Sequence, residues 1–444
     1  MEFEVSEITV GNKPIKGIKI IGEAAAQRNA THTIVLLDLS GSMNENSKLQ
    51  NVKKSLSFLV RFLQSNDKLS LVTFNYQSVI EIQNTNVTSE YLQTFQHIID
   101  NLNAEGGTNL SAGLLNVKSM LSACDNGSGM KTGLIILTDG HTNEGVTTPR
   151  EILRIIESIK TVNPSISITT IGYNEDHNAE ILKSIAETGG GSYNIVNNIE
   201  QVATVFGDIL GGLMSTVVQN CYAKFDSSWK TLNTYPLDES GDKKILKIGD
   251  ITAESETILL FENTNSTIVE IGGVSTKDYS TITRNVHFTN LTQNNQAYYI
   301  AFIRFELADI LKNLRILRKQ DITARLEPIK NYLNTATHPI VSYLRREIIA
   351  IENQIEHPED LNVSQNLQAS ACLAFGRGTS AARGPIRRNV NFVDINENLA
   401  NALNNMNMMA SPFANTTQRL VSRHAVDYTQ TSEDDPDDAM DSQS

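Results

Sequence analysis

From residue 31 to 215 the chain alternates two kinds of segment, and this alternation restricts its fold more than any other feature. Four nearly continuous apolar runs, TIVLLD (33–38), KLSLVTF (68–74), TGLIILTD (132–139) and SISITTIGY (165–173), have the length and β-branched content of strands buried on both faces. Between them, apolar residues recur at helical spacing over 49–62, 91–102, 110–121, 150–159 and 179–187. Strands that accept no solvent on either side, separated by helices, predict an α/β unit with a doubly wound, mostly parallel sheet. Ligands of such sheets bind beyond the carboxyl ends of the strands. DLSGSM (38–43) and TDGHTNEG (138–145) each leave a strand directly, so both loops are expected at that edge.

After residue 215 the pattern changes to short runs divided by turn residues: STVVQNCYAKF, KILKIGD, SETILLFE, STIVEIGG, YSTITRNVHF and QAYYIAFIRF. All six are expected as strands of an antiparallel β domain over 216–302. The first segments, FEVSEITV and IKGIKIIGEA, also read as strands; residues 1–30 are expected to pair with that domain, making the α/β unit of 31–215 an insertion. From 303 to 358 three stripes at helical spacing, around Leu307–Leu317, Leu326–Leu333 and Leu344–Ile355, predict a small helical domain that stops before His357-Pro358. Residues 359–444 read as a mostly disordered tail. Its first part carries Arg377, Arg383, Arg387 and Arg388 among Gly, Ala and Ser, a basic linker, and its end holds six carboxylates without a basic residue.

Those six account for nearly half of the net charge of −13, a balance that speaks against nucleic-acid binding. No apolar run approaches the roughly 18 residues that span a bilayer, and MEFEVSEITV lacks the basic start and apolar core of a signal peptide, so no membrane contact and a soluble, cytoplasmic protein are expected. Cys124, Cys221 and Cys372 are too scattered for a disulfide framework or a zinc finger and are expected to be ordinary buried thiols.

The chemistry concentrates in the two loops at the sheet edge. Asp38, Ser40 and Ser42 alternate across a turn in which Gly41 lets the backbone fold beneath them, so three oxygens can converge on one point. GGTNLSAGL adds Thr108 and LTDGHTNEG adds Asp139. Carboxylates, hydroxyls and water are the ligands of a hard divalent ion, Mg²⁺ or Mn²⁺. His141, Asn143 and Glu144 are expected on the rim, either selecting a ligand or as solvated loop, and Asn109 is expected to shape the Thr108 loop. His32 is expected to be structural, and TGGGSY, with no Lys-Ser/Thr after it, a tight turn rather than a phosphate cradle. No HExxH, GxSxG or P-loop pattern occurs, so an enzyme is not expected; a metal-dependent hydrolase is the less favoured alternative.

D-x-S-x-S after the first strand, a threonine in a GGTN loop and an aspartate in a TDG loop resemble the metal-ion-dependent adhesion site of von Willebrand factor type A domains. SNDKLSLVTFN (65–75) and the segment 171–206 resemble other parts of the same family, so the likeness covers about 31 to 215. It implies that Ser40, Ser42 and Thr108 coordinate the ion directly, that Asp38 and Asp139 bind it directly or through water, and that an Asp or Glu of a partner protein completes the shell. LGGLMSTVVQN, IGDITAESETILLF and 305–333 are similar to a plant and protist group of type A proteins, several of which carry a RING finger and act as ubiquitin ligases. Three scattered cysteines exclude a RING in this sequence. The resemblance therefore implies an adaptor, or a substrate-recognition subunit whose RING comes from another chain, with ubiquitin-pathway partners.

Overall fold

The structure is a computed structural model that describes residues 1–356 except 11–12, 25–29, 124–129, 139–141, 174–176, 197–198, 234, 263–267, 293, 315 and 338–339. Asp139, His141, Cys124, Cys372, the basic linker and the acidic tail lie outside the described residues. The chain divides into two compact units, one built from the N-terminal segment to Ala25 together with Val217 onward, the other from Ala26–Thr216.

The chain opens with an antiparallel hairpin, β1 (Glu2–Val10) and β2 (Lys13–Ile21). The α/β unit follows as β3 (Thr31–Asp38), α1 (Lys48–Phe62), β4 (Lys68–Phe74), β5 (Ser78–Asn86), α2 (Ser89–Asp100), α3 (Leu110–Ala123), β6 (Lys131–Thr138), α4 (Pro149–Val162), β7 (Ser167–Tyr173), α5 (Ala179–Gly189), β8 (Gly190–Val196) and α6 (Ile199–Met214). The sheet order is β5-β4-β3-β6-β7-β8, and every pair is parallel except β4 with β5. Every residue of β3 and β6 is buried, which is why their sequences are apolar without alternation. On one face Val35, Leu37, Leu71, Ile135 and Leu137 pack with Leu56 and Leu59 of α1 and Phe206 and Leu210 of α6. On the other, Gly113 of α3 lies against Leu36 and Phe74, where an added Cβ would come within 2.7 Å of Leu36. The TGGGSY segment is a helix stop: Gly190 caps α5 with φ of 78°, a left-handed conformation that suits glycine, and β8 starts there.

The edge hairpin strand β5 was not singled out in the sequence, because SVIEIQNTN is half polar: an edge strand with one solvated face needs no apolar run.

The remaining unit continues with β9 (Thr216–Asp226), β10 (Lys230–Thr231), β11 (Leu237–Ser240), β12 (Lys243–Thr252), β13 (Glu256–Glu262), β14 (Ile268–Ser275), β15 (Thr281–His287), α7 (Gln296–Lys312), α8 (Lys319–Thr335) and α9 (Val341–Glu356). Two sheets result, β1-β2-β13-β10 and β11-β12-β9-β14-β15. The first joins the chain's start to its later part: β2 pairs antiparallel with β13 from Ile21↔Glu256 to Lys16↔Phe261. Between the sheets lies a core centred on Trp229, whose indole meets Phe225, Phe261 and Phe288 at 5.5–6.3 Å between ring centroids. Cys221 is buried in the same core, and burial pushes its thiol pKa up to about 12. The other face of the first sheet, with Ile8, Ile15 and Leu260, is covered by Tyr298 and Ala301 of α7.

QAYYIAFIRF, expected as a strand, is instead the start of α7, so the helical part begins at Gln296 rather than at 303. Its apolar residues serve two neighbours: Tyr298 and Ala301 face the sheet, while α7 also packs on α8 and α9. A helix covered on two sides loses the polar stripe that reveals its period, and a short apolar run then reads equally as strand.

Candidate metal site

β3 ends at Asp38 and the chain turns at once into a 3-10 segment, Gly41–Ser47. Asp38 is fully buried, and its two oxygens are held differently. Oδ1 accepts from the Ser40 amide at 2.8 Å, a local turn, and Oδ2 accepts from the Thr138 hydroxyl at 2.6 Å. Thr138 reaches it because the parallel register sets Leu37 beside Leu137, so the last residues of β3 and β6 are neighbours. The Ser40 and Ser42 hydroxyls stand 3.2 Å apart. Lys48 lies behind the turn, its ammonium donating to the Ser42 carbonyl at 3.4 Å.

The Thr108 loop is stitched to this turn by backbone hydrogen bonds. Gly41 N donates to Gly106 O at 3.0 Å and Glu105 N to Leu39 O at 2.8 Å. Gly106 has φ of 75°, and an added Cβ would meet the Tyr76 ring at 2.5 Å, so the loop follows this path only with glycine there. Thr108 is buried, with 4% of its surface exposed. The third loop clamps its backbone: Thr108 N donates to Asn143 Oδ1 at 2.8 Å, while Asn143 N and Glu144 N donate to Thr108 O at 3.1 and 3.2 Å.

The structure thus brings Asp38, Ser40 and Ser42 into one turn and fastens the Thr108 loop to it. Asn143 and Glu144 are exposed rim residues, and Asn143 in addition holds the Thr108 backbone. Asn109 closes the start of α3: its Oδ1 accepts from Ser111 Oγ at 2.8 Å and Ala112 N at 3.1 Å, while its amide donates to Asn75 O at 2.7 Å. One supporting residue, Thr138, went unnoticed in the sequence, although the parallel register of two adjacent runs made it available. Asn143 was expected only on the rim; its clamp on Thr108 carries no sequence signal, because it depends on loop conformation. His32 is structural, its ring within 2.9 Å of the Ser70 hydroxyl, and burial, with Lys68 nearby, drives its pKa down to about 4.

The donor chemistry fits a hard divalent cation. Among the described residues no three His, Cys, Asp or Glu gather into a metal-binding group. The donors placed together are hydroxyl and carboxylate oxygens, and two adjacent ligands of an octahedral ion with bonds of about 2.1 Å stand about 3.0 Å apart. The Ser40–Ser42 separation matches that requirement.

A mostly parallel α/β sheet thus carries two neighbouring serine hydroxyls and a buried aspartate at the carboxyl end of β3. The chain matches the von Willebrand factor type A domain over residues 33–208. It is similar to the uncharacterized protein YfbK of Escherichia coli strain K12, at 26% identity over 244 residues, 53% of this chain and 42% of YfbK. The chain spans about half the length of the first curated relatives it matches. Two solved structures share its fold over most of its length. A von Willebrand factor type A protein from Catenulispora acidiphila aligns with a TM-score of 0.57 at 14% identity, covering 83% of this chain and 96% of that one. The ArnB paralog VWA2 from Sulfolobus acidocaldarius aligns with 0.51 at 15%, covering 84% and 98%.

Proposed function

We propose that this protein is a divalent-metal-dependent interaction module in which Asp38, Ser40, Ser42, Thr108 and Asp139 hold Mg²⁺ or Mn²⁺ and a partner protein presents an Asp or Glu side chain to it. The observation that carries this reading is the pair of serine hydroxyls 3.2 Å apart beside a buried carboxylate whose two oxygens are both held by hydrogen bonds. When bound, the ion supplies an electrophilic centre open to one more oxygen ligand, because hydroxyls bring no negative charge to it. The residues of the chain do the rest. Asp38 is kept in one orientation by the Ser40 amide and Thr138, so little rotamer freedom remains to be lost on binding. Stitching of the Thr108 loop to the serine turn sets the hydroxyl-bearing segments before any ligand arrives.

Type A domains are in general non-catalytic, and no group placed here is assigned a catalytic role. A substrate-recognition subunit of a ubiquitin-ligase assembly would use the same metal site and differs only in its partners. No helix is long and apolar enough to cross a membrane among the described residues, and a cytoplasmic place of action remains part of the proposal. The test is affinity capture from lysate with three baits: wild type with Mg²⁺, wild type with EDTA, and Asp38→Ala with Mg²⁺. Partners retained by the first alone support the module and name its pathway. Capture indifferent to EDTA and to the substitution sinks it.

A further inference from the structure

A cleft of about 370 Å³ opens in the α/β unit beside the candidate metal site, between the β4–β5 hairpin and the end of α2. Leu39, Val79 and Ile98 supply apolar wall, and Glu81 lies among them. Glu81 is the extra residue of a β-bulge: Val72 pairs with Ile80 and Leu71 with Ile82, leaving Glu81 with no opposite residue on β4. Bulges re-aim a side chain away from regular pleating and occur preferentially at sheet edges and next to functional sites. β5 is the edge strand. The Glu81 carboxylate accepts a hydrogen bond from Thr73 Oγ1 at 3.0 Å and, among the described residues, forms no ion pair. A carboxylate has about four lone-pair positions, so most of its accepting capacity is unused.

We propose that this cleft is a subsite for an arginine side chain of a protein partner, the guanidinium seated on Glu81 and the aliphatic stem lying along Val79 and Ile98. Charge complementarity fixes the sign. The mixed lining fixes the residue: a long apolar stem with a charged tip covers apolar wall while keeping its tip on the carboxylate. The planar fork matches a carboxylate bidentately and is less hydrated than an ammonium, which favours arginine over lysine in a half-enclosed space. The cleft and the metal site share structure. Leu39, in the cleft wall, directly follows Asp38, and Asn75, also in the wall, accepts the amide of Asn109 next to Thr108. A partner that sets a carboxylate at the serine turn therefore has a neighbouring side chain at the cleft. This deepens the reading above and rests on it for its role, but the chemistry of the cleft can be tested without metal.

The experiment uses the full chain with labelled Leu, Val and Ile methyl groups, in EDTA at pH 8. Nα-acetyl-arginine methylamide is titrated in, with Nα-acetyl-glutamine methylamide as control. The expected result is saturable shifts of the Val79 and Ile98 methyls with a dissociation constant on the order of millimolar, weakened about tenfold in Glu81→Gln and absent with the control. Absence of shifts at these methyls, or equal shifts in Glu81→Gln, overturns the subsite. Glu81→Gln preserves the acceptor for Thr73, and its unchanged methyl spectrum before titration verifies the fold. Separately, in an EDTA-free sample, Mn²⁺ added without arginine should broaden the Leu37 and Leu39 methyls in wild type but not in Asp38→Ala. Failure of that arm counts against the metal site alone.

Discussion

The hydroxyl of Thr138 donates to Oδ2 of Asp38 at 2.6 Å, joining the last residues of two adjacent parallel strands through their side chains. This bond decides which way the buried carboxylate faces. Thr138→Val keeps the shape and removes the donor. Loss of such an outer partner typically lowers metal affinity by about 10–100-fold, so Mn²⁺ binding measured by calorimetry should weaken by at least about tenfold. Equal affinity in the variant would mean that Thr138 does not position the ligand.

Asn143 should affect the same affinity through another loop. Its side-chain oxygen accepts the Thr108 amide at 2.8 Å while its own amide donates to the Thr108 carbonyl. Asn143→Ala leaves the Thr108 amide without its acceptor, a loss of about 1 kcal/mol. Mn²⁺ affinity should fall several-fold with the far-UV spectrum unchanged. If Asn143 instead only contacts the partner, metal affinity will be unaltered and capture alone will suffer.

Trp229 is the only tryptophan of the chain and is fully buried in the core between the two β sheets, so its fluorescence reports on that unit. Gly22 offers a specific way to perturb it: an added Cβ would lie 2.0 Å from the Thr252 carbonyl oxygen, a backbone atom that cannot step aside cheaply. Gly22→Ala should cost about 2 kcal/mol or more, seen as a lower urea midpoint of Trp229 fluorescence, while Mn²⁺ binding is retained. An unshifted midpoint would contradict the close approach.

His32 gives a pH dependence of known sign. Its folded pKa is about 4, below the ordinary value of 6.5, because burial disfavours the imidazolium. A group whose folded pKa is depressed binds protons preferentially when unfolded, so its contribution is intact above about 6.5 and is lost as pH falls toward 4. The loss at the acid end is about 3 kcal/mol. Urea unfolding followed by far-UV circular dichroism from pH 7.5 to 4.5 should show a steeper decline for wild type than for His32→Gln. Parallel curves would refute the assignment.

How much of this was legible beforehand differs from element to element. β3 and β6 announced themselves, because strands buried on both faces permit nothing but apolar residues. Asp38, Ser40 and Ser42 were legible for a related reason: a tight turn can expose three oxygens only if alternate residues carry them. β5 and the first half of α7 were not, since one is an edge strand of mixed polarity and the other a helix covered on two sides. Glu81 stayed hidden because its setting comes from a one-residue bulge, which leaves composition and period almost unchanged. Thr108 was visible as a loop threonine, but what keeps it in place, Asn143 and the backbone stitching to Leu39 and Gly41, arises only once the loops have met.

The pairing of Ile21 with Glu256 has a consequence for synthesis. Some 235 residues separate the two, and at about 5–20 residues per second roughly 10–50 s pass before the second strand leaves the ribosome. Throughout that interval the amide and carbonyl groups of β2 that will face β13 have no strand to bond, and Ile18 and Ile20 have no opposing sheet to cover them. Meanwhile the α/β unit, encoded between them, can complete its own sheet. The nascent chain thus carries a finished domain behind an orphan hairpin, and that hairpin is the segment a trigger-type chaperone would have most reason to shield.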